Sequence, residues 1–255
     1  MLSTMQDNIR RFLRLVAVAA FWLTVWIVVC YFANRKLLLP LPYPWDVANV
    51  LWQLLGKTPF WIAVGLSLLR VIVGFAVALV AGVALAMLTT RFAVVHTLLS
   101  PILSVIKATP VASFILLAFL WIRAESMPTF IAFLMVIPLV WENVRQGILH
   151  TDKKLLEMAK VFRLNYRQRL WYIRLPSVKP YLQAAITTGF GFAWKAGIAA
   201  EILCWTDDSI GYHIAAEQQS FETAHVFAWT AVMVVLSVVL ERLMRRMMNR
   251  REVAA

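Results

Sequence analysis

Charge is scarce in this chain. Only 15% of its 255 residues are Asp, Glu, Lys or Arg, against 62% hydrophobic, and the mean hydropathy is +0.75. A soluble domain cannot hide that much apolar surface, so a water-soluble globule is excluded and an integral membrane protein is predicted. Acids are scarcer still, 13 against 25 bases, which leaves a net charge of +12. The bases cluster in short polar segments between apolar runs, as membrane topology demands, and nucleic acid is excluded as a partner. Cysteine is almost absent: Cys30 and Cys204 lie in or at the end of apolar segments with no C-x-x-C pair, and read as small buried hydrophobes. The four histidines, His96, His150, His213 and His225, are scattered and form no ligand cluster. No H-E-x-x-H, no Ser–His pair at useful spacing, no P-loop and no low-complexity tract occurs. An intramembrane enzyme and a built-in ATPase lose their support, while an ion-coupled secondary transporter acting alone stays open.

The apolar runs set the architecture. Residues about 14 to 33 form a first span behind Arg10, Arg11 and Arg14; it is too long for a signal peptide, lacks a cleavage pattern and ends in the aromatic anchor Tyr31–Phe32. Pro40, Pro42 and Pro44 prevent a helix start, after which Val47, Val50, Leu51, Leu54 and Leu55 share one face of a short amphipathic helix on the outer surface. A second span runs from about Ile62 to Leu88, with Gly82 inviting a close helix crossing and Arg91 at its cytoplasmic end. The next stretch, about Val94 to Ile122, is interrupted by Pro101, Lys107 and Thr109–Pro110, which predicts a broken helix. Such a break either lines a translocation pathway or is a proline kink packed between helices. Arg123, Glu125 and Pro128 form an outer turn, and Thr129 to Val140 is a fourth span. The fifth, about Leu182 to Trp205, is rich in Ala and Gly, followed by an outer loop from Thr206 to Ala224 with four acids and no base, and by a sixth span, about His225 to Leu240, with a basic tail. This layout puts eighteen Lys and Arg inside, four outside and three within spans, so six helices with both termini cytoplasmic satisfy the positive-inside rule. The expected fold is all-α, one polytopic transmembrane domain over residues 1–255.

One polar interruption stands apart, residues about 150–180, with eight bases between Lys153 and Lys179. Leu155, Met158, Ala159 and Phe162 recur at helical spacing, so a short amphipathic helix is predicted, followed by a second over Arg167 to Ile173. Asn165 between them suits a cap or a left-handed turn, and Pro176 and Pro180 are expected to end the unit. By itself such a loop would also suit anionic lipid headgroups. Glu157, Ala159, Ile173, Leu175 and Pro176, however, stand at the spacing of the E-A-A, G, I-x-L-P signature, and the chain here resembles the permease subunits of bacterial ABC importers. Met158 replaces an alanine of that pattern and Arg163 its glycine, which leaves the turn geometry to Asn165. The L-P-x-P stretch before the outer amphipathic helix, and Ser67, Arg70, Gly74 and Phe75 in order, resemble the nitrate, sulfonate and taurine group.

The resemblance implies a type I importer permease fold in the bacterial cytoplasmic (inner) membrane. It implies a homodimer, two ATP-binding-cassette ATPase subunits docked on the loop, an extracytoplasmic substrate-binding protein, and membrane lipid around the spans. This chain then binds no cofactor and catalyses nothing, since ATP and Mg belong to the partner ATPase. Charges inside the membrane need a partner or a wet cavity. Arg70, Lys107, Pro110, Trp194, Lys195 and Glu201 are therefore the candidate pathway residues, with an anionic solute on the path of Lys195 weighed against simple satisfaction by helix carbonyls or a buried carboxylate. Glu201 is expected to be solvated from the outer surface.

Overall fold

The computed structural model describes residues 2–35 and 41–253 and divides the chain into two compact units, Met1–Trp61 with His213–Val232, and Ile62–Tyr212 with Met233–Ala255. The readings of Lys36 and Pro40 lie outside the described residues. Among those described there is no strand. Four helical stretches are long and apolar enough to cross a bilayer, Val16–Ala33, Thr58–Arg91, Ala124–Leu149 and Thr223–Arg246, and a bent pair makes a fifth.

In the first unit, α1 (Leu2–Ala33) is followed by α2 (Pro44–Leu55). Asn34 closes the connection between them by pairing with both main-chain groups of Leu41, and the buried Cys30 thiol donates to the Pro42 carbonyl. The predicted short helix is present, but Pro44, read as preventing a helix start, instead opens it at the first helical position, with Asp46 accepting from the Tyr43 N–H. Of its expected apolar face, Val47 and Leu54 are buried and Leu55 is exposed. Phe60, Trp229 and His213 form a ring stack in the same unit, and Trp26 stacks on Phe227.

The second unit is built on a helical pair. Helix α3 (Thr58–Arg91) leads into α4 (Ala93–Ala108) and α5 (Val111–Ala118); after a 3-10 turn at Ala124–Ser126, α6 (Met127–Leu149) runs back. Two short helices, α7 (Lys153–Val161) and α8 (Tyr166–Arg169), precede α9 (Leu175–Cys204). Then come α10 (Ile210–Gln219), where the sequence reading had a loop, and α11 (Thr223–Val253).

Helix α6 packs along α9. Helix α9 is about 45 Å long at 1.5 Å per residue, enough to span, yet it is not among the apolar stretches. It carries Lys179, Lys195 and Glu201, and eleven of its residues are buried in protein, so its environment is other helices more than lipid. Glycine makes the close packing of α3 against α6 possible. A Cβ on Gly74 would stand 2.3 Å from the Thr129 carbonyl of α6, and one on Gly82 would stand 2.7 Å from Val140. Among the described residues no glycine has positive φ, whereas Arg163, Trp205, Asp208 and Phe221 do. Small residues are spent on helix crossings, and helix ends are closed by residues with side chains.

Candidate functional site

The loop between α6 and α9 is shaped by main-chain bonds and by polar side chains that cap its helices. Asp152 caps α7 by accepting from the Lys154 N–H. At the other end the Leu164 N–H reaches the Ala159 carbonyl (2.9 Å) and the Arg163 N–H reaches that of Lys160 (3.0 Å), the paired bonds of a Schellman closure. That closure requires a left-handed residue after the cap, and Arg163 supplies it at φ 50°. The expectation that Asn165 would take over the glycine's role is corrected: Asn165 is extended, φ −70°, and serves as the N-cap of α8. It exchanges two 2.9 Å bonds with Gln168, side chain to backbone in each direction.

Beyond α8 the chain does not break. Leu170–Arg174 form a π turn that passes straight into α9, so Pro176 and Pro180, read as terminators, lie in its first turns. The fifth helix thus begins at Leu175 rather than near Leu182, because the missing N–H of a proline is tolerated in the first turn of a helix. Below the loop, Tyr181 packs on Gly147, where a Cβ would come within 3.0 Å of its ring, and stacks on His150.

The side chains of this loop point outward. Ala159 and Ile173 are buried, while Glu157, Met158, Arg163, Asn165, Leu175 and Pro176 are exposed. Val161 is 80% exposed, Phe162 71% and Tyr172 76%. Of the face predicted from Leu155, Met158, Ala159 and Phe162, Ala159 is packed inward while Leu155, Met158 and Phe162 are exposed, and Lys153, Lys154, Lys160 and Arg167 of the same loop are exposed too.

The predicted break in the third apolar run lies between α4 and α5, which meet at 105°. Thr109 and Pro110 are both extended, since a proline disfavours the helical conformation of the residue before it and cannot bond back. Lys107, one residue before the end of α4, is half-exposed and ion-paired with Glu142 of α6. Glu142 escaped the sequence reading, although a lone carboxylate at the end of an apolar run was a signal for it.

The expectation for Glu201 is overturned. Its side chain is 0% exposed, and it is held by protein, not by solvent. One carboxylate oxygen accepts from the Ser67 hydroxyl (2.9 Å) and the Gly211 N–H (3.1 Å); the other faces Arg70 Nη1 at 3.9 Å. Ser67 in turn accepts from the Ile210 N–H (3.0 Å), and Arg70 donates to the Asp207 carbonyl (3.2 Å). A carboxylate placed on the first N–H groups of α10 is favoured by the helix dipole as well as by hydrogen bonding. Gly211 is obligatory here, because a Cβ would stand 2.3 Å from that of Glu201. Two turn residues of positive φ, Trp205 and Asp208, bring α10 back onto α9, and the Thr206 hydroxyl ties the corner to the Ala124 carbonyl (3.0 Å). A cavity of about 500 Å³ adjoins it, lined by residues 119–125 and Asp207.

Within the candidate set an ion pair joins Arg70 to Glu201. Trp194 is fully buried and its indole donates to the Met233 carbonyl (3.1 Å), whereas the neighbouring Lys195 is exposed. Among the described residues no group of three His, Cys, Asp or Glu could hold a metal ion.

Residues 78–253 match the family model described as binding-protein-dependent transport system inner membrane component. The chain is 24% identical to the taurine transport permease protein TauC of Escherichia coli K12, over 92% of this chain and 87% of that protein. It is 28% identical to the nitrate import permease protein NrtB of a Synechocystis strain, over 74% and 70%, and 26% identical to the bicarbonate transport permease protein CmpB of Synechococcus elongatus, over 68% and 63%. Among solved structures it resembles in fold an amino acid ABC transporter with histidines, TM-score 0.60 at 16% identity over 74% of this chain and 90% of that one. The MetNI methionine ABC transporter in an inward-facing conformation gives a TM-score of 0.53 at 13% identity, over 81% and 96%.

Proposed function

The chain belongs to the binding-protein-dependent transport system inner membrane components, the permease subunits of ATP-driven ABC importers, and on that footing we propose a role for each part of it. It is a multi-pass membrane subunit of a transporter. The uncovered face of α7, with Glu157, Met158 and the apolar residues to Phe162, docks on an ATP-binding-cassette subunit, which binds and hydrolyses ATP with Mg. The observation that carries this reading is a loop held rigid by caps and by Schellman bonds while its apolar side chains remain exposed. A loop built only to connect two helices needs neither.

Two copies of the chain, each acting over 1–255 as one transmembrane domain, enclose the pathway about a two-fold axis. Both termini are cytoplasmic, the outer face receives an extracytoplasmic binding protein, and lipid covers the remaining apolar surface. Lys107, Glu142 and the α4–α5 break face the pathway, and Arg70 and Glu201 fix its outer end. Taurine, nitrate and bicarbonate, named for the relatives, are all small and carry an anionic group, which supports a substrate of that class. The exposed Lys195 is suited to meet it.

Reconstitution with the co-purifying ATPase and binding protein tests the docking role. Glu157→Lys is expected to leave membrane insertion intact and to abolish ATP-driven uptake of the solute held by the binding protein. Undiminished uptake by that variant, or uptake by the single chain without an ATPase, refutes the assignment of the loop.

A further inference from the structure

The helical rod from Tyr166 to Cys204 contains one wide turn. At Leu170–Arg174 the bonding is of π type, with the Leu175 N–H reaching back five residues to the Leu170 carbonyl. Such a turn is the trace of one residue more than a regular α-helix needs between two fixed points. Both points are fixed here. On the loop side stand the Asn165–Gln168 capping box and the Schellman closure of α7. On the α9 side stands Tyr181, clamped between Gly147 and His150, while Ile173 within the turn is itself buried.

The location of the wide turn follows from Pro176. Proline has no N–H for the Tyr172 carbonyl and its ring collides with that carbonyl in α geometry, so an α bond is already missing there and widening at this point removes the collision. Proline alone is not sufficient: Pro101, Pro138 and Pro180 lie inside helices that stay α. What distinguishes Pro176 is that it coincides with a surplus residue between two anchored segments.

We propose that the π turn at Leu170–Arg174, held open by Pro176, sets the rotational register between the docking loop and α9, so that Pro176 is a positioning residue for transport and not part of the docking surface. The inference rests on the docking role of the loop. Without proline the turn relaxes to α, and the surplus residue is threaded into the helix. The loop then rotates by about 100° and shifts by about 1.5 Å relative to α9. The docked ATPase remains bound, but its motion reaches α9 in the wrong direction.

Three chains decide the matter, each in the full transporter with its ATPase and binding protein: Pro176→Ala, a deletion of Tyr172 in the Pro176→Ala background, and the unaltered chain. Pro176→Ala is expected to keep ATPase co-purification and ATP hydrolysis and to lose uptake by about ten-fold or more, the scale of a small misplacement in a positioned assembly. Removing Tyr172 as well takes out the surplus residue and restores register in a regular helix, so uptake recovers although the chain is more heavily altered. A merely structural role for Pro176 predicts the reverse order. The proposal is overturned if Pro176→Ala takes up solute like the unaltered chain, or if the double variant is no better than the single. If the unaltered chain captures no ATPase, the docking role falls and this proposal with it; capture by all three chains with equal uptake removes this proposal alone.

Discussion

The two ends of α9 are stabilised in opposite ways. At the loop end, shape comes from local bonds that close on the main chain: the Schellman pair at Arg163, the side-chain-to-backbone caps of Asp152, Asn165 and Gln168, and the π turn before Leu175. Side chains there are left exposed. At the far end, shape comes from side chains, with Glu201, Ser67 and Arg70 gathered around the start of α10 and Glu201 removed from solvent altogether. A segment that must present its apolar side chains to another protein cannot also use those side chains to hold itself together, so only short polar caps and main-chain bonds remain for that. A corner packed among helices has no water to satisfy its peptide groups, and a buried carboxylate must do that work. The contrast separates residues whose replacement disturbs function from those whose replacement disturbs the fold.

The largest effect is expected at Glu201. Glu201→Ala strands Arg70 and the Gly211 N–H in a buried setting, and loss of one partner of a buried charged network costs about 3–5 kcal/mol. The unfolding midpoint of the purified protein should fall accordingly. Ser67→Ala is expected to cost less, about 1–3 kcal/mol, because it leaves the Ile210 N–H without its acceptor while Glu201 keeps Gly211 and Arg70. The loop end sharpens the comparison: Glu157→Lys, lethal to uptake, should move the same midpoint by no more than about 0.5 kcal/mol, as exposed substitutions do. A midpoint that drops as far for Glu157→Lys as for Ser67→Ala would erase the distinction.

What could be read from sequence divides along the same line. The α4–α5 break and the existence of α2 and α7 were legible because Thr109–Pro110 and the 3.6-residue spacing act locally. The Asn165 cap was legible for the same reason, though not the partner that completes it. Helix α10 was read as a loop because its anchor, Glu201, lies outside it and is completed by Ser67, 134 residues before. That same separation hid the burial of Glu201: a carboxylate near the end of an apolar run looks solvated until its partners are assembled. Pro176 and Pro180 misled for a different reason, since the same residue that stops one helix can open the next, and only the π turn shows that the two are joined.

A gain in stability, with no change in uptake, is expected where the backbone side of the contrast is probed most directly. Arg163 holds a left-handed conformation that an L side chain enters at a cost of roughly 1–2 kcal/mol, and it does so because two Schellman bonds depend on it. Glycine relieves that cost but gives some back through the greater freedom of the unfolded chain, which leaves a net gain of about 1 kcal/mol for Arg163→Gly. Local opening of the turn should then be rarer, and the amide of Leu164, bonded to the Ala159 carbonyl, should exchange with solvent about five-fold more slowly, read by hydrogen exchange in the assembled membrane protein. Because φ is already left-handed, no side chain of the loop needs to move and uptake should be unchanged. Faster exchange at Leu164 would mean that the guanidinium, and not the main chain, is what closes the turn, and the loop end would then be held in the same manner as the far end.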